Sequence, residues 1–141
     1  INIEEIKDNE IKKRFDDELF KVTGKVIQYL YDNYRVMSRG DSGYCLRKIY
    51  GPTRCHKDGV NINPINDGRY LPTKKIRNMS LIMALNDDYE GGEFYFPTQD
   101  YKVTLKKGQI IAFPPYWTHE HMVNAPTNGT YRYTINTWLF E

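Results

Sequence analysis

Three histidines occur in these 141 residues, and all of them fall in two short stretches. RCHKDGVN places His56 two residues before Asp58, and WTHEHMV holds His119 and His121. In an extended segment, side chains two apart lie on one face, so His56 and Asp58 can approach one metal ion from a single piece of backbone. A third ligand from another strand would complete a facial set of two imidazoles and one carboxylate. That set suits non-haem Fe(II), because it leaves neighbouring octahedral positions open. Taken alone, HKDG reads more readily as a solvated turn than as a ligand pair, since Asp-Gly is a turn dipeptide and a lone H-x-D is common by chance.

The downstream residues strengthen the first reading. WTHEH follows the apolar stretch QIIAFPP, and beyond it come Gly129, Arg132 and Trp138. An arginine on the strand after a distal ligand can take the far carboxylate of a dicarboxylic co-substrate as a two-pronged donor. Arg132, Thr134, Asn136 and Trp138 would share one face of that strand.

These residues need elements to position them. Residues 3 to about 35 read as helix, with Ile11, Phe15, Leu19, Val22, Val26 and Leu30 recurring at steps of three and four. Gly24 marks a potential break or bend. The apolar face must pack on something, most simply the outside of a sheet. After the loop RVMSRGDSG the pattern changes to period two. Tyr44 to Tyr50 alternates in extended fashion, and SLIMAL (80 to 85) is a short apolar run suited to a central strand buried on both sides. EFYF, YKVTL, QIIAF and YRYTINTWLF follow as strands separated by turns, the pattern of an antiparallel sandwich or barrel.

Composition bounds the rest. The length suits one domain with a core of its own, spanning residues 1 to 141. A formal charge of +2 supplies no basic stripe for nucleic acid and no membrane patch. Cys45 and Cys55 are too few for a disulfide scaffold and read as reduced thiols of a cytoplasmic protein. No apolar run approaches a bilayer span, and the opening INIEEIKDNE has no signal-peptide character.

In sequence order, IYGP, HKD, LIMALN, YEGGEFYFP, KKGQIIAFPP, THEHMV and NGTYRYTINTWLF resemble the 2-oxoglutarate and Fe(II)-dependent oxygenases, within them the prolyl 4-hydroxylase-like branch. The resemblance implies an α+β fold: a double-stranded β-helix (jelly-roll, cupin-like) core over residues 42 to 141, with N-terminal helices of residues 1 to 36 packed on its major sheet. It implies a procollagen-proline 4-dioxygenase-like enzyme in which His56, Asp58 and a distal histidine hold Fe(II). His119 and His121 are both candidates for the distal ligand. The family's x-Val and later Gly, matched by Val123 and Gly129, favour His121, leaving His119 to line the site or orient a partner. Arg132 matches the 2-oxoglutarate anchor and completes the catalytic set, with a bulge over residues 125 to 130 restoring its register. Tyr50, Thr134 and Trp138 are placed with the co-substrate by the same resemblance.

The implied cofactors are Fe(II), 2-oxoglutarate and O2, with ascorbate as a stimulant. The implied partner is a proline-containing protein or peptide, gripped by RVMSRGDSG and the loop from Val60 to Asn78, with Tyr116 and Trp117 packing on the proline ring. Lys74, Lys75 and Arg77 are a further candidate substrate contact. A monomer or weak dimer in the cytoplasm, or in host cytoplasm for a viral source, is expected. Two alternatives stay open. One is the same cofactors acting on a free amino acid or nucleobase. The other is a non-catalytic, cupin-like protein using His119 and His121 as its metal pair.

Overall fold

Among the described residues a single α-helix, α1 (Asn9–Tyr34), follows a short 3-10 turn at Ile3–Glu5. The computed structural model describes residues 1–59, 62–64, 70–72 and 76–141, and at 62–64 and 70–72 its backbone only. Asp8 caps α1 by accepting from the backbone N–H groups of Glu10 and Ile11, both at 3.0 Å. Arg35 ends it in the left-handed conformation, φ 57°. Gly24 does not break the helix, which runs through it without interruption, and a Cβ there would meet nothing.

The packed stripe also differs from the expected one. Leu19, Thr23, Val26, Ile27 and Leu30 face the sheet, whereas Ile11, Phe15 and Val22 are exposed. The expected positions recur every 3.8 residues rather than 3.6. Over the span from Leu30 back to Ile11 this drift carries the stripe about 100° around the axis. Only the C-terminal part of it can lie on a flat sheet.

The strands then follow in order. Gly40–Asp41 (β1), Cys45–Ile49 (β2) and Thr53–His56 (β3) come first, then Ile62–Pro64 (β4), Tyr70–Pro72 (β5) and Arg77–Ala84 (β6). Glu90–Gly91 (β7), Phe94–Phe96 (β8), Tyr101–Val103 (β9) and Ile110–Phe113 (β10) follow. His121–Val123 (β11), Pro126–Thr127 (β12) and Arg132–Phe140 (β13) complete the series. The larger sheet runs β1-β13-β6-β10, with β2 pairing the same edge of β13 beyond β1. The smaller runs β3-β11-β8-β9. The chain crosses repeatedly from one sheet to the other, only β8 and β9 following one another within the smaller sheet, and every pairing among the described residues is antiparallel. This is the double-stranded β-helix.

Strand β6 shows why the sheet needs two covers. Met79, Leu81 and Met83 pack toward the helix with Leu30, Leu139, Leu19 and Ile135. Ile82 and Ala84 point the other way, into the space between the sheets, against Phe94, Phe96, Phe113 and Val123. The apolar run is therefore a central strand buried on both faces from Met79 to Ala84, whereas Leu85 lies beyond the strand and is exposed. Leu81 and Leu139 are fully buried, and truncating either to Ala is expected to cost about 2–5 kcal/mol.

Two local expectations change. RVMSRGDSG is tied to the sheet rather than free: Arg39 and Ser42 donate to the carbonyls of Phe140 and Trp138, and Asn78 donates to the Met37 carbonyl. Residues 125 to 130 carry no bulge but a small ribbon, β12 pairing with β7, closed through Asn128 and Gly129, both at positive φ. The register irregularity falls earlier, between His121 and Val123. Most of the loop from Val60 to Asn78, with Lys74 and Lys75, lies outside the described residues. Among the described residues no helix is long and apolar enough to cross a membrane.

Candidate metal and co-substrate site

His56 ends β3 and His121 begins β11, and the two are direct cross-strand partners. That pairing brings the two histidine stretches together, with ring centroids 4.4 Å apart. Asp58 stands just beyond the end of β3, and its Oδ1 lies 3.3 Å from His56 Nε2. The ligand atoms of His56, Asp58 and His121 all lie within 4.8 Å of one another, the spacing of donors that could share one ion.

Both imidazoles are aimed from behind. His56 Nδ1 bonds the Arg54 carbonyl at 2.7 Å, and His121 Nδ1 bonds the His119 carbonyl at 3.1 Å. A carbonyl only accepts, so each Nδ1 carries a proton, and Nε2 is the nitrogen left to present a lone pair whenever the ring is neutral. Phe96 and Phe113 pack on the His121 ring at 5.7 and 4.7 Å and fix its plane. Burial holds the His121 imidazole below its ordinary range, outweighing the His119 carbonyl and the nearby Asp58 charge. Burial pushes the Asp58 carboxyl up. The Ser80 hydroxyl donating to Oδ2 at 2.6 Å, the nearby Trp138 indole and the two imidazoles more than offset this, so Asp58 stays below the usual carboxylate range. No acceptor meets hydrogen-bonding geometry at the Trp138 N–H, so its effect on Asp58 is that of a nearby dipole. Burial thus favours a neutral His121 imidazole, and the hydrogen bonding favours an ionised Asp58, two of the protonation states a divalent ion requires.

His119 is elsewhere. It closes the 3-10 turn Trp117–His119, and its Nδ1 meets the Thr118 hydroxyl at 3.0 Å. Its side chain lines a separate concavity of about 590 Å³ between β9 and β10. The alternation rule left both histidines open because it assumes one continuous strand. The turn breaks that assumption, and His119 contributes its backbone carbonyl instead. This also removes the basis for His119 and His121 as a metal pair.

Arg132 opens β13 and is 2% exposed. Its Nη1 donates to the Gly92 carbonyl at 3.1 Å, its Cζ lies 4.5 Å from the Phe94 ring centre, and its Nε has no partner. Among the described residues no carboxylate pairs with it. Burial lowers its pKa, but a guanidinium stays charged. Arg132, His56, Asp58 and His121 line one cavity of about 100 Å³, walled by Ile49, Ile82, Phe94 and Val123. A buried cation with a spare donor, in the same cavity as three metal-type ligands, fits a small dicarboxylate that bridges the two.

The neighbouring assignments divide. Trp138 lines the cavity as expected. Tyr50 does not: it is 76% exposed. Ile49, directly opposite Arg132, holds the inward register, so alternation turns Tyr50 out as the chain leaves β2. Thr134 is fully buried and does not line this cavity. Its hydroxyl donates to Asn136 Oδ1 at 2.8 Å, and Asn136 is the residue that lines the wall. Tyr116 is tied by its hydroxyl to the Arg77 carbonyl at 2.7 Å, while Trp117 is 71% exposed. Ser80, Arg47 and Phe94 were missed. Ser80 had a signal, a hydroxyl at an inward position of an otherwise apolar strand. Arg47 and Phe94 had none.

An antiparallel double-stranded β-helix carrying a His-Asp-His group beside a buried arginine defines a metal- and keto-acid-dependent class of protein. The sequence profile of the 2OG-Fe(II) oxygenase superfamily matches residues 46–140, and the chain belongs to that superfamily. Prolyl 3-hydroxylase 2 of Rattus norvegicus is 35% identical over 73 residues, which are 48% of this chain and 10% of that protein. The human protein of the same name matches to the same extent. The chain thus spans about a tenth of the length of the curated relatives it matches.

Among solved structures, a viral collagen prolyl hydroxylase from Paramecium Bursaria Chlorella virus-1, in its 2OG complex, superposes with a TM-score of 0.65 at 21% identity. That match covers 85% of this chain and 70% of the other. A Pseudomonas putida prolyl-4-hydroxylase gives 0.63 at 16% identity, covering 89% and 64%. At these identities the likeness establishes the shared fold.

Proposed function

We propose that this chain is the catalytic domain of a 2-oxoglutarate- and O2-dependent hydroxylase acting on proline in a protein or peptide, with succinate and CO2 released. Its Fe(II) ligands are His56, Asp58 and His121, and Arg132 is the co-substrate anchor. The observation that carries this reading is the buried Arg132 guanidinium, without a carboxylate partner among the described residues, in one small cavity with the three ligand side chains. Fe(II) bound with 2-oxoglutarate supplies the oxidative chemistry that inserts oxygen into an unactivated C–H bond.

The protein's own contribution is positioning and exclusion of water. His56 and His121 offer their Nε2 lone pairs because the Arg54 and His119 carbonyls hold their Nδ1 protons. Ser80 occupies Asp58 Oδ2, which leaves Oδ1 toward the shared centre. Arg132 takes the far carboxylate of the keto acid, and Phe94, Ile82 and Val123 keep water from the space between. A cavity of about 100 Å³ is far below the roughly 300–1,000 Å³ of pockets that enclose drug-sized ligands. A peptide therefore lies across the mouth and presents one side chain. Proline as that side chain is supported by the relatives' names: the prolyl 3-hydroxylases by sequence, and a Trichoplax adhaerens prolyl hydroxylase in complex with a hypoxia inducible factor peptide fragment by fold.

The test is 2-oxoglutarate turnover by the purified chain with Fe(II), first without air and then with it, across a panel of proline-containing peptides. Succinate that needs both iron and O2, and rises with a peptide that gains one oxygen atom, is the expected result. Iron-dependent succinate that no peptide stimulates would move the substrate to a small molecule. Iron bound without any succinate formation would refute the enzymatic reading.

A further inference from the structure

Two of the proposed ligands are carried by strands, but Asp58 is not: β3 ends at His56. What fixes it comes from the central strand β6. The Ser80 hydroxyl holds its carboxylate, and Arg77 Nη1 donates to its main-chain carbonyl at 2.8 Å. The Arg77 guanidinium is itself held, with its Cζ 4.1 Å from the Trp138 ring centre. The Tyr116 hydroxyl anchors the Arg77 backbone at 2.7 Å. Trp138 stands opposite Ser80 in the β13–β6 register, so the stack and the two donors form one unit across adjacent strands.

We infer that Arg77 is a positioning residue for the carboxylate ligand: braced on Trp138, it pins the Asp58 backbone so that Ser80 and the metal divide the two carboxylate oxygens between them. The inference rests on the metal-site reading above. Coulomb's law gives it an opposed alternative. A cation beside a divalent-ion site repels the ion, so as a mere bystander Arg77 would weaken metal binding and its removal would strengthen it. As a positioning residue it does the reverse. Loss of a partner that orients a ligand typically lowers metal affinity about 10- to 100-fold.

The experiment titrates Co(II), an air-stable probe, into the full chain and into Arg77→Ala and Arg77→Lys. Calorimetry gives the affinity, and visible d–d absorption reports the coordination geometry. Melting curves of the metal-free proteins confirm that each variant is folded. R77A is expected to bind about 10- to 100-fold more weakly with an altered spectrum. R77K is expected to recover only part of the affinity, because an ammonium cannot lie flat on the indole while donating to the Asp58 carbonyl. Should R77A not fold, the loss and spectral change in R77K carry the comparison. Tighter binding by R77A, or unchanged affinity and spectrum, would overturn the positioning role while leaving the metal site standing. Failure of the wild-type chain to take up Co(II) at all would overturn the site reading and this inference with it.

Discussion

Replacing Arg132 with methionine should make the protein more stable and less able to bind 2-oxoglutarate. The guanidinium is 2% exposed and has no carboxylate partner among the described residues. Desolvating such a charge costs several kcal/mol. The bond to the Gly92 carbonyl returns about 1.5–3 kcal/mol, and the Phe94 ring face about 1–2 kcal/mol. A shortfall of about 1 kcal/mol remains, which an apolar side chain of similar length removes, raising Tm by about 3 °C for a chain of this size. Co-substrate reverses the order. Saturation at 100 times Kd adds about 2.7 kcal/mol to the wild type. R132M leaves the far carboxylate buried and unpaired, which costs about 3–5 kcal/mol of binding, or a factor of at least about 100. The assay is thermal melting with Mn(II) in place of iron, so that nothing turns over, with and without 2-oxoglutarate, and calorimetry for Kd. The variant should melt above the wild type without co-substrate and below it with saturating co-substrate. A variant that melts lower in both conditions and binds 2-oxoglutarate within about fivefold of wild type would refute the reasoning, because Arg132 would then be a structural cation.

Three further outcomes are expected. His121→Ala should abolish stoichiometric metal binding, whereas His119→Ala, which keeps the carbonyl that aims His121, should bind within about threefold of wild type by calorimetry, as outer-shell changes that spare the partner cost little. Gly91→Ala should lower urea stability by more than 2 kcal/mol, because at φ +69° its Cβ would sit 2.7 Å from the Ala125 carbonyl oxygen; Gly129→Ala, at φ +70° in open space, should cost only about 1–2 kcal/mol. Acid should destabilise the metal-free protein in two windows. His121 is lowered from 6.5, so below that pH the unfolded chain takes up a proton the folded one resists. Asp58 is lowered from 3.8, so its stabilising effect is present above that value and is lost as pH falls through its folded pKa. His121→Gln should flatten the upper window in a series of melts from pH 8 to 5, and a profile identical to wild type would contradict the assignment.

The strands and the ligands were legible for different reasons. Period-two alternation and the apolar run at 80 to 85 are direct consequences of a sheet covered on two faces, so β2, β6, β8, β10 and β13 could be read in advance. HxD and the arginine eleven residues after His121 were legible as chemistry, because few residue types bind a cation or pair a carboxylate. Local sequence could not choose between His119 and His121. That choice turns on a 3-10 turn and on the β3–β11 register, which sets His121 rather than His119 opposite His56. Nor could it place Tyr50, whose direction depends on Ile49 filling the inward position against Arg132. The helix stripe was misjudged at Ile11, Phe15 and Val22 because periodicity names an apolar face but not the length of it that a sheet covers. By itself the sequence determined the elements and the reactive side chains, since both depend on residue type and near neighbours. The tertiary structure alone decided which of those side chains share one cavity, because that is set by cross-strand register between segments far apart in the chain.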